Sequence, residues 1–506
     1  MDMEMEVYRV MATRNRFASR IRSVHRFVKT SVVAAAGLLG RRHPSDADGS
    51  PPLQTCVLDG NKMAMVVDVD RLLTMRPSSS ASTALFPPFF LLAVEAGGFV
   101  RGLVLLALYP VMRLMTEAVR LKAMVMVCFL GLRRADAARA GRVVLPKYFS
   151  REAAAMEALI KAVASLPKEV TVAAVSRSFP TVMVETFLRE YVGFDAVVGR
   201  EVKSGRGHFA GVMDGDDNME RFRDVVSKTP KNAGPRPLIF HDGRLAFTPT
   251  PAAALAMYVY LPLGIALSVV RIAISTLLPR SVSGAFAALA GVRLRVTGTP
   301  PTAVAEDGGE TERHAAGRLY ACNHRTLLDA IAVSGALGRP VSSVCYSLGR
   351  LSELLSPIRL LRLTREREED RRRMASLLSR GDVVVCPEGT TCREPYLLRF
   401  SPLFAELADE VNPVAVHAAA GMFYATSTSP LAKCFDSVFF MMNPSPEYSV
   451  SFLEPVATAG AGGSIEVANR VQRVIADKLG YEATALTRKA KYLLLAGNEG
   501  VVAKKN

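Results

Sequence analysis

The segment ACNHRTLLDA (321–330) joins the end of an apolar run, RLYACNH (318–324), to a stretch of helical character. An apolar run that ends in polar residues is typical of a buried parallel strand. At this junction, four residues separate His324 from Asp329. A histidine titrates near neutral pH and is a natural general base for a hydroxyl group, and a carboxylate one helical turn away can orient it. Taken alone, the segment also fits a helix-start histidine followed by a surface aspartate.

Two further polar segments follow along the chain. CPEGTTCREPYLLRF (386–400) comes after an apolar strand, and its first turn offers a carboxylate and backbone amides that can orient a polyol or support the active-site helix. Arginine forks, which bind phosphate bidentately, occur in SPIRLLRLTRER (356–367). The alternative interpretation is a salt-bridged helix face, which the sequence favours for residues 366–373. VNPVAV (411–416) completes the set.

Apolar runs in both halves of the chain predict buried strands, and helical stretches lie between them. The runs are 63–70, 170–176, 292–298, 318–324, 382–389 and 412–416. This alternation predicts an α/β architecture in each half of the chain. GRGHFAG (205–211) resembles a phosphate loop but lacks the flanking strand and helix, so we predict a turn. Residues 42–60 are rich in Pro, Asp, Ser and Gly and predict a linker.

Two hydrophobic regions predict membrane contact. Residues 252–270 form an uncharged run of 19 residues, and about 20 apolar residues span a bilayer. We expect Arg271 to reach the interface at one end of such a span; a buried core helix is the alternative. Residues 84–115 are interrupted by Glu95, Arg101 and three prolines, which favours a re-entrant or hairpin pair of helices.

Composition narrows the class of protein. The chain has 506 residues, of which 50% are hydrophobic, and its mean hydropathy of +0.20 excludes general disorder. Its net charge of +16 suggests an anionic partner. Nucleic acid is disfavoured, because tryptophan is absent and no helix-turn-helix or RNP-like signal is found. Residues 7–42 lack acidic side chains and predict a basic amphipathic targeting or membrane-surface helix. The seven cysteines have no CxxC spacing and predict reduced thiols.

The ordered blocks NHRTLLD, SPIRLLRLTRER, CPEGTTCRE and NPVAV resemble the glycerolipid acyltransferase superfamily. The chain is most similar to the land-plant glycerol-3-phosphate acyltransferases that make cutin, suberin and pollen-wall lipids. The resemblance implies an α/β protein with an N-terminal haloacid-dehalogenase-like domain, hydrophobic membrane segments and a C-terminal glycerolipid acyltransferase domain. The implied boundaries are a basic segment at 1–50, the dehalogenase-like domain at 51–250 with a hydrophobic insertion near 84–131, a transmembrane segment at 252–279 and the acyltransferase domain at 283–506.

The resemblance also implies roles for individual residues. His324 would remove a proton from a glycerol-3-phosphate hydroxyl, Asp329 would orient the histidine, and the activated oxygen would attack acyl-CoA. The implied substrate-binding residues are Arg362 and Arg365 for the phosphate, and Glu388, Gly389 and Thr390 for the glycerol and the catalytic loop. The superfamily usually carries arginine where this chain has Thr391, and Arg393 is expected to take over that role.

The dehalogenase-like domain retains only part of its phosphatase motifs. Asp68 and Asp70 keep the nucleophile and acid/base pair, and Ser176 can supply the second-motif hydroxyl. Arg71 and Leu72 replace the usual glycine and threonine, and no clear late acidic motif for Mg²⁺ is found. We expect a weak or absent phosphatase, with Mg²⁺ needed only if that domain is active and no cofactor needed for acyl transfer.

The expected partners are therefore acyl-CoA, glycerol-3-phosphate and a lipid bilayer, and no nucleic acid. The resemblance implies an integral protein of the endoplasmic reticulum that makes lysophosphatidic acid, with acylation at sn-2 favoured. The N-terminal arginines leave the mitochondrion as the alternative location. Two alternative functions remain at this point: a bifunctional acyltransferase and phosphatase that releases monoacylglycerol, and a phosphatase whose C-terminal domain only binds lipid.

Overall fold

The structure is a computed structural model. It describes residues 53–58, 62–70, 84–151, 170–214, 240–301, 317–346, 356–459 and 462–499, with a few single positions between them. These residues divide into two compact units, which part between Ile239 and Phe240, with Thr248–Ala254 returning to the first unit. The predicted basic helix within 7–42 lies outside the described residues.

A four-stranded sheet forms the centre of the first unit. Its strands are β1 (Leu53–Leu58), β2 (Lys62–Asp68), β3 (Val170–Pro180) and β4 (Ala196–Arg200), in that order. β1 is antiparallel to β2, and the other pairs are parallel. The strands predicted at 63–70 and 170–176 are confirmed. The prediction of a linker at 42–60 is wrong for residues 53–58, which form β1. β1 is an edge strand, which pairs with one neighbour and can be flanked by turn-forming residues.

Short helices and one hairpin complete the first unit. They are α1 (Phe86–Gly97), α2 (Phe99–Met112), α3 (Glu117–Phe129), α4 (Arg134–Val143), α5 (Leu145–Phe149), α6 (Thr181–Thr186) with a π-helical continuation (Phe187–Val192), and the strands β5 (Val202–Gly205) and β6 (His208–Met213). The turn predicted within 205–211 is the turn of the β5–β6 hairpin.

The helix pair predicted within 84–115 is confirmed as α1 and α2. Gly98 separates the two helices, and its φ of 87° favours glycine. Membrane contact is wrong for α1, because its residues from Phe86 to Val94 are all buried in the first unit. α2 does keep an exposed apolar face, on which Val100 is 77% exposed and Val111 is 55% exposed.

The second unit is built on an eight-stranded sheet. Its strands follow the order β10-β9-β11-β8-β13-β14-β7, with β15 paired to β13. Their bounds are β7 (Arg293–Thr297), β8 (Leu319–Cys322), β9 (Ser342–Cys345), β10 (Arg359–Arg362), β11 (Val383–Val385), β13 (Glu410–Ala419), β14 (Glu447–Phe452) and β15 (Val456–Ala457), while β12 (Tyr396–Leu397) pairs separately with β16 (Glu482–Ala483). The strands predicted in this half are all confirmed.

Helices lie between and beside these strands along the chain. They are α7 (Pro251–Leu277), α8 (Arg280–Leu289), α9 (Asp329–Leu337), α10 (Arg367–Leu378), α11 (Pro430–Lys433), α12 (Asp436–Met441), α13 (Ser464–Leu479) and α14 (Arg488–Ala496), with a 3₁₀ turn at Pro402–Glu406. The arginine-rich face predicted at 366–373 lies on α10, where Arg373 pairs with Glu369 at 2.7 Å.

Side chains of the central strands alternate between two hydrophobic cores, as the two-residue repeat of a strand requires. On β8, Leu319 and Ala321 pack with α10 and α13, whereas Tyr320 and Cys322 pack with α9. β8, β9, β11 and the start of β13 run parallel. Their carboxyl ends therefore meet at one edge of the sheet, where the predicted polar blocks begin.

α7 is the one helix among the described residues that is long and apolar enough to cross a bilayer. Arg271 does not reach an interface, and that expectation is wrong. The residue is 1% exposed. It donates hydrogen bonds to the carbonyl oxygens of Ala290 (2.8 Å), Met441 (2.5 Å) and Asn443 (2.7 Å), which end α8 and α12. The Arg271 guanidinium is instead hydrogen-bonded inside the second unit, to carbonyl oxygens at helix ends that have no partner within their own helix.

We predict that Arg271→Met destabilises the second unit by at least about 2 kcal/mol, because several buried carbonyl groups lose a charged donor. The measurement is the thermal unfolding midpoint of the full chain in detergent micelles. Arg380→Met is the matched control, since Arg380 is exposed. Equal midpoints for the two variants would show that the Arg271 contacts contribute nothing.

Candidate active site

One buried carboxylate organises the turn between β8 and α9. Asp329 is 1% exposed and is the first residue of α9. Its Oδ2 accepts hydrogen bonds from Nδ1 of His324 at 2.9 Å, from N–H of Arg325 at 2.5 Å and from N–H of Thr326 at 3.0 Å. Oδ1 accepts from the Thr326 hydroxyl at 3.2 Å. The carboxylate therefore fixes both the turn and the histidine ring.

His324 lies in an unusual electrostatic setting. Burial opposes protonation of the ring, but the hydrogen-bonded Asp329 carboxylate favours it and raises the pKa of His324 above its usual value. Contact with Cys322, at 3.5 Å between the sulfur atoms, and burial raise the pKa of Cys386 well above normal. Cys386 is therefore a neutral thiol near pH 7. Asp329 is the charge that favours the imidazolium form.

Glu388 connects two of the predicted blocks. Its Oε1 accepts a hydrogen bond from the backbone N–H of His324 at 2.7 Å, and its Oε2 accepts one from N–H of Leu398 at 2.9 Å. Burial raises its pKa to about 7, against these hydrogen bonds, which favour the carboxylate. Glu388 is 3% exposed and both oxygens are occupied. Glu388 therefore connects the turn after β8 to the segment that contains Leu398.

The remaining blocks are joined by amide and guanidinium contacts. Asn323 exchanges two hydrogen bonds with the backbone of Val416, at 2.7 and 2.8 Å, which connects the first block to NPVAV. Arg325 donates to the carbonyl oxygens of Cys392 (2.6 Å) and Glu394 (2.7 Å) in the third block. Blocks that lie far apart in sequence therefore form one hydrogen-bonded unit around His324.

His324 opens onto a cavity of about 330 Å³ within the second unit. Gly389 and Thr390 line it, as the sequence predicts for substrate-binding residues, and so do Cys386 and Lys433. The rest of the wall is mainly apolar and includes Ile272, Leu294, Leu328, Ile331, Ile358, Leu360, Val438 and Met441. A mostly apolar cavity with a few convergent polar groups is typical of a ligand site.

The three predicted phosphate-binding arginines lie in different surroundings. Arg362 is half exposed and forms an ion pair with Glu353. Arg365 lies over the ring of Tyr346, a cavity residue, with 5.7 Å between the guanidinium carbon and the ring centroid. Arg393 lines a different cavity, where it donates to the carbonyl oxygen of Gly243 at 2.6 Å and to Thr426. The structure gives no support to its predicted role.

Two cationic residues near the cavity were missed by the sequence analysis. Lys433 lines the cavity, and Arg488 begins α14 beside Gly389. In LTRKAKYLLLAGNEG (486–500), Arg488 and Tyr492 have the four-residue spacing of neighbours on one helix face. That spacing was the available signal. No comparable pattern marks Lys433.

The phosphatase-like residues meet in the first unit, as predicted. Asp70 accepts hydrogen bonds from the Ser176 hydroxyl at 2.5 Å and from the backbone N–H groups of Arg177 and Ser178 at 2.8 Å. The Asp70 N–H donates to Asp68 at 3.1 Å. Within the described part of the chain, no third histidine, cysteine or carboxylate joins Asp68 and Asp70 as a metal ligand. These residues alone do not fit a magnesium centre.

We predict that Glu388→Gln lowers the thermal unfolding midpoint by at least about 2 °C, because an amide cannot accept both backbone hydrogen bonds and one N–H group loses its partner. Glu410→Gln is the control, since Glu410 is exposed at the start of β13. If both variants have the unfolding midpoint of the unmodified protein, the two hydrogen bonds of Glu388 do not stabilise the fold.

Comparison with known proteins agrees with this arrangement. The family profile "Glycerol-3-phosphate acyltransferase RAM2-like, HAD-like domain" matches residues 64–241, and the profile "Acyltransferase" matches residues 304–420. The solved structure of 1-acyl-sn-glycerophosphate acyltransferase PlsC from Thermotoga maritima matches at 14% identity and a TM-score of 0.28, covering 45% of this chain and 94% of that one. That similarity is too low to support a conclusion.

Several curated plant proteins are similar along most of their length. Probable glycerol-3-phosphate acyltransferase 2 of Arabidopsis thaliana is 40% identical, over 84% of this chain and 88% of that protein. Glycerol-3-phosphate acyltransferase 1 of the same plant is 39% identical, over 86% and 81%. Glycerol-3-phosphate acyltransferase RAM2 of Petunia hybrida is 39% identical, over 83% and 95%. The predicted resemblance is confirmed: the chain belongs to this family of plant glycerol-3-phosphate acyltransferases, with a haloacid-dehalogenase-like domain followed by an acyltransferase domain.

Proposed function

We propose that the protein transfers an acyl group from acyl-CoA to a hydroxyl of glycerol-3-phosphate, giving lysophosphatidic acid and free CoA. The observation that carries the proposal is the buried Asp329 carboxylate hydrogen-bonded to Nδ1 of a histidine that lines an apolar cavity. Family membership supplies the substrates, since relatives of this identity are named glycerol-3-phosphate acyltransferases.

In the proposed reaction, His324 acts as the general base. With Nδ1 committed to Asp329, Nε2 takes the proton from the glycerol hydroxyl as its oxygen attacks the thioester carbonyl carbon. Asp329 stabilises the imidazolium that forms. The tetrahedral intermediate collapses, the carbon–sulfur bond breaks, and the CoA sulfur leaves and receives a proton. One ester bond replaces one thioester bond, so the step needs no metal ion or redox cofactor.

The apolar wall supports an acyl chain as the group transferred. Ile272, Ser275 and Thr276, near the end of α7, line the cavity together with residues of α9 and β10. The same helix exposes apolar side chains elsewhere, with Val259 74% exposed and Leu277 78% exposed. We infer that α7 contacts a bilayer and brings the cavity close to it, in a membrane that the family resemblance assigns to the endoplasmic reticulum.

The finer specificity rests on resemblance to the plant family. We propose acylation at the sn-2 hydroxyl and a product used for extracellular lipid polyester or glycerolipid synthesis. We also propose that the N-terminal domain does not dephosphorylate the product. Support comes from Arg71 and Leu72 in the first motif, and from Asp70, whose two oxygens accept hydrogen bonds from Ser176, Arg177 and Ser178. Regiochemical analysis of the product made by expressing membranes tests the first point.

We predict that His324→Ala lowers glycerol-3-phosphate-dependent release of CoA by at least about 100-fold, the usual contribution of a general base. The assay uses membranes that contain equal amounts of each variant. His417→Ala is the matched histidine control, because His417 is exposed on β13. Asp68→Asn should leave both the rate and the phosphorylated product unchanged. Retention of the wild-type rate by His324→Ala would refute the assignment.

A further inference from the structure

Three cationic side chains lie beside the cavity that His324 lines: Arg365, Lys433 and Arg488. Only Arg365 belongs to one of the four blocks. Arg488 begins α14, and its Cδ lies 3.7 Å from the position that a Cβ on Gly389 would occupy. The guanidinium carbon of Arg488 lies 5.5 Å from the ring centroid of Tyr492, one turn later. Arg488 is therefore held against the turn that lines the cavity, with its aliphatic part close to Gly389.

Arg365 has an unusual backbone conformation close to the same cavity. It has a positive φ of 74°, one of two such non-glycine residues in the described part of the chain. Asp370 holds this conformation by accepting hydrogen bonds from N–H of Thr364 at 2.6 Å and of Arg365 at 2.9 Å. Strained backbone that surroundings enforce is common at ligand sites. The conformation places the guanidinium over Tyr346.

Lys433 lies on the same side of the cavity. Burial opposes ionisation of Tyr492, but the charge of Lys433 and the neighbouring Thr390 hydroxyl outweigh it and lower the pKa of the Tyr492 hydroxyl. Thr390 and Lys433 both line the cavity that His324 lines. The cations are thus connected to the catalytic cavity by named contacts.

Arg365 and Arg488 lie close enough to influence one another electrostatically. Burial and the charge of Arg365 lower the pKa of Arg488. Tyr492, Tyr346 and Glu499 oppose this effect, but Glu499 forms its ion pair with Lys489 at 2.6 Å. Asp370 accepts backbone hydrogen bonds. A phosphate group bound here would bring negative charge to these cations, and guanidinium forks match its oxygens.

We propose that Arg488, together with Arg365 and Lys433, binds the phosphate group of glycerol-3-phosphate and so positions the glycerol hydroxyls against His324. This inference rests on the proposed function. Arg488 is then a substrate-binding residue outside the four acyltransferase blocks, and it takes the place that the sequence analysis gave to Arg393. The phosphates of CoA have the same chemistry, so the test must separate the two substrates.

The test is steady-state kinetics of the full chain in phospholipid vesicles, with each substrate varied in turn. We expect Arg488→Gln to raise the KM for glycerol-3-phosphate by about tenfold or more, the usual effect of losing a charged hydrogen bond. The KM for acyl-CoA should stay within about twofold. Arg488→Lys should recover part of the affinity, because it keeps the charge without the fork. Lys489→Gln, an exposed neighbour on the same helix, is the control.

Each result decides the proposal. An unchanged KM for glycerol-3-phosphate in Arg488→Gln overturns it, and so does a rise confined to acyl-CoA, which would assign the cluster to CoA. If Arg488→Gln does not fold, Arg488→Lys and Arg365→Gln carry the test with the same expected direction. Absence of glycerol-3-phosphate-dependent turnover in the unmodified protein would instead refute the proposed function, which is a different outcome.

Discussion

The Asp329 carboxylate is the interaction on which the site depends. It is buried at the start of α9, accepts hydrogen bonds from two backbone N–H groups and the Thr326 hydroxyl, and holds Nδ1 of His324. A buried carboxylate without such partners would be costly, so the turn and the ring orientation are set together. The contact that stabilises the local fold therefore also commits Nδ1 of His324 to Asp329 and leaves Nε2 for the proton transfer that we propose.

Sheet topology brings the other blocks to this carboxylate. The parallel strands β8, β11 and β13 lie side by side, and three contacts join the segments after β8 and β11 to each other and to β13. Glu388 accepts a hydrogen bond from the His324 backbone, Asn323 pairs with Val416, and Arg325 donates to the carbonyl oxygens of Cys392 and Glu394. Each motif therefore supports the geometry of another, and much of the family pattern is structural support for one histidine.

The sequence predicted the strands and the His324–Asp329 pair because both are local patterns: apolar runs ending in polar residues, and a fixed spacing. It failed where a long-range contact decides the outcome. Arg271 looked like an interfacial charge but is buried by carbonyl groups from α8 and α12. The role of Arg393 stays a prediction, since the structure shows only that its guanidinium donates to Gly243 and Thr426. Arg488 lies about a hundred residues from the loop it contacts, and its spacing from Tyr492 marks a helix face without showing which loop that face meets.

The most direct test of the His324–Asp329 pair is the pH profile of kcat/KM for glycerol-3-phosphate in the unmodified protein and in Asp329→Asn. In the proposed reaction the neutral imidazole of His324 is the base, and the Asp329 carboxylate raises its pKa. We therefore expect activity to be lost as pH falls through that raised value. Removing the charge lowers the pKa. The acid limb of Asp329→Asn should therefore move to lower pH, together with a large fall in kcat. An acid limb that stays in place would contradict the role of Asp329.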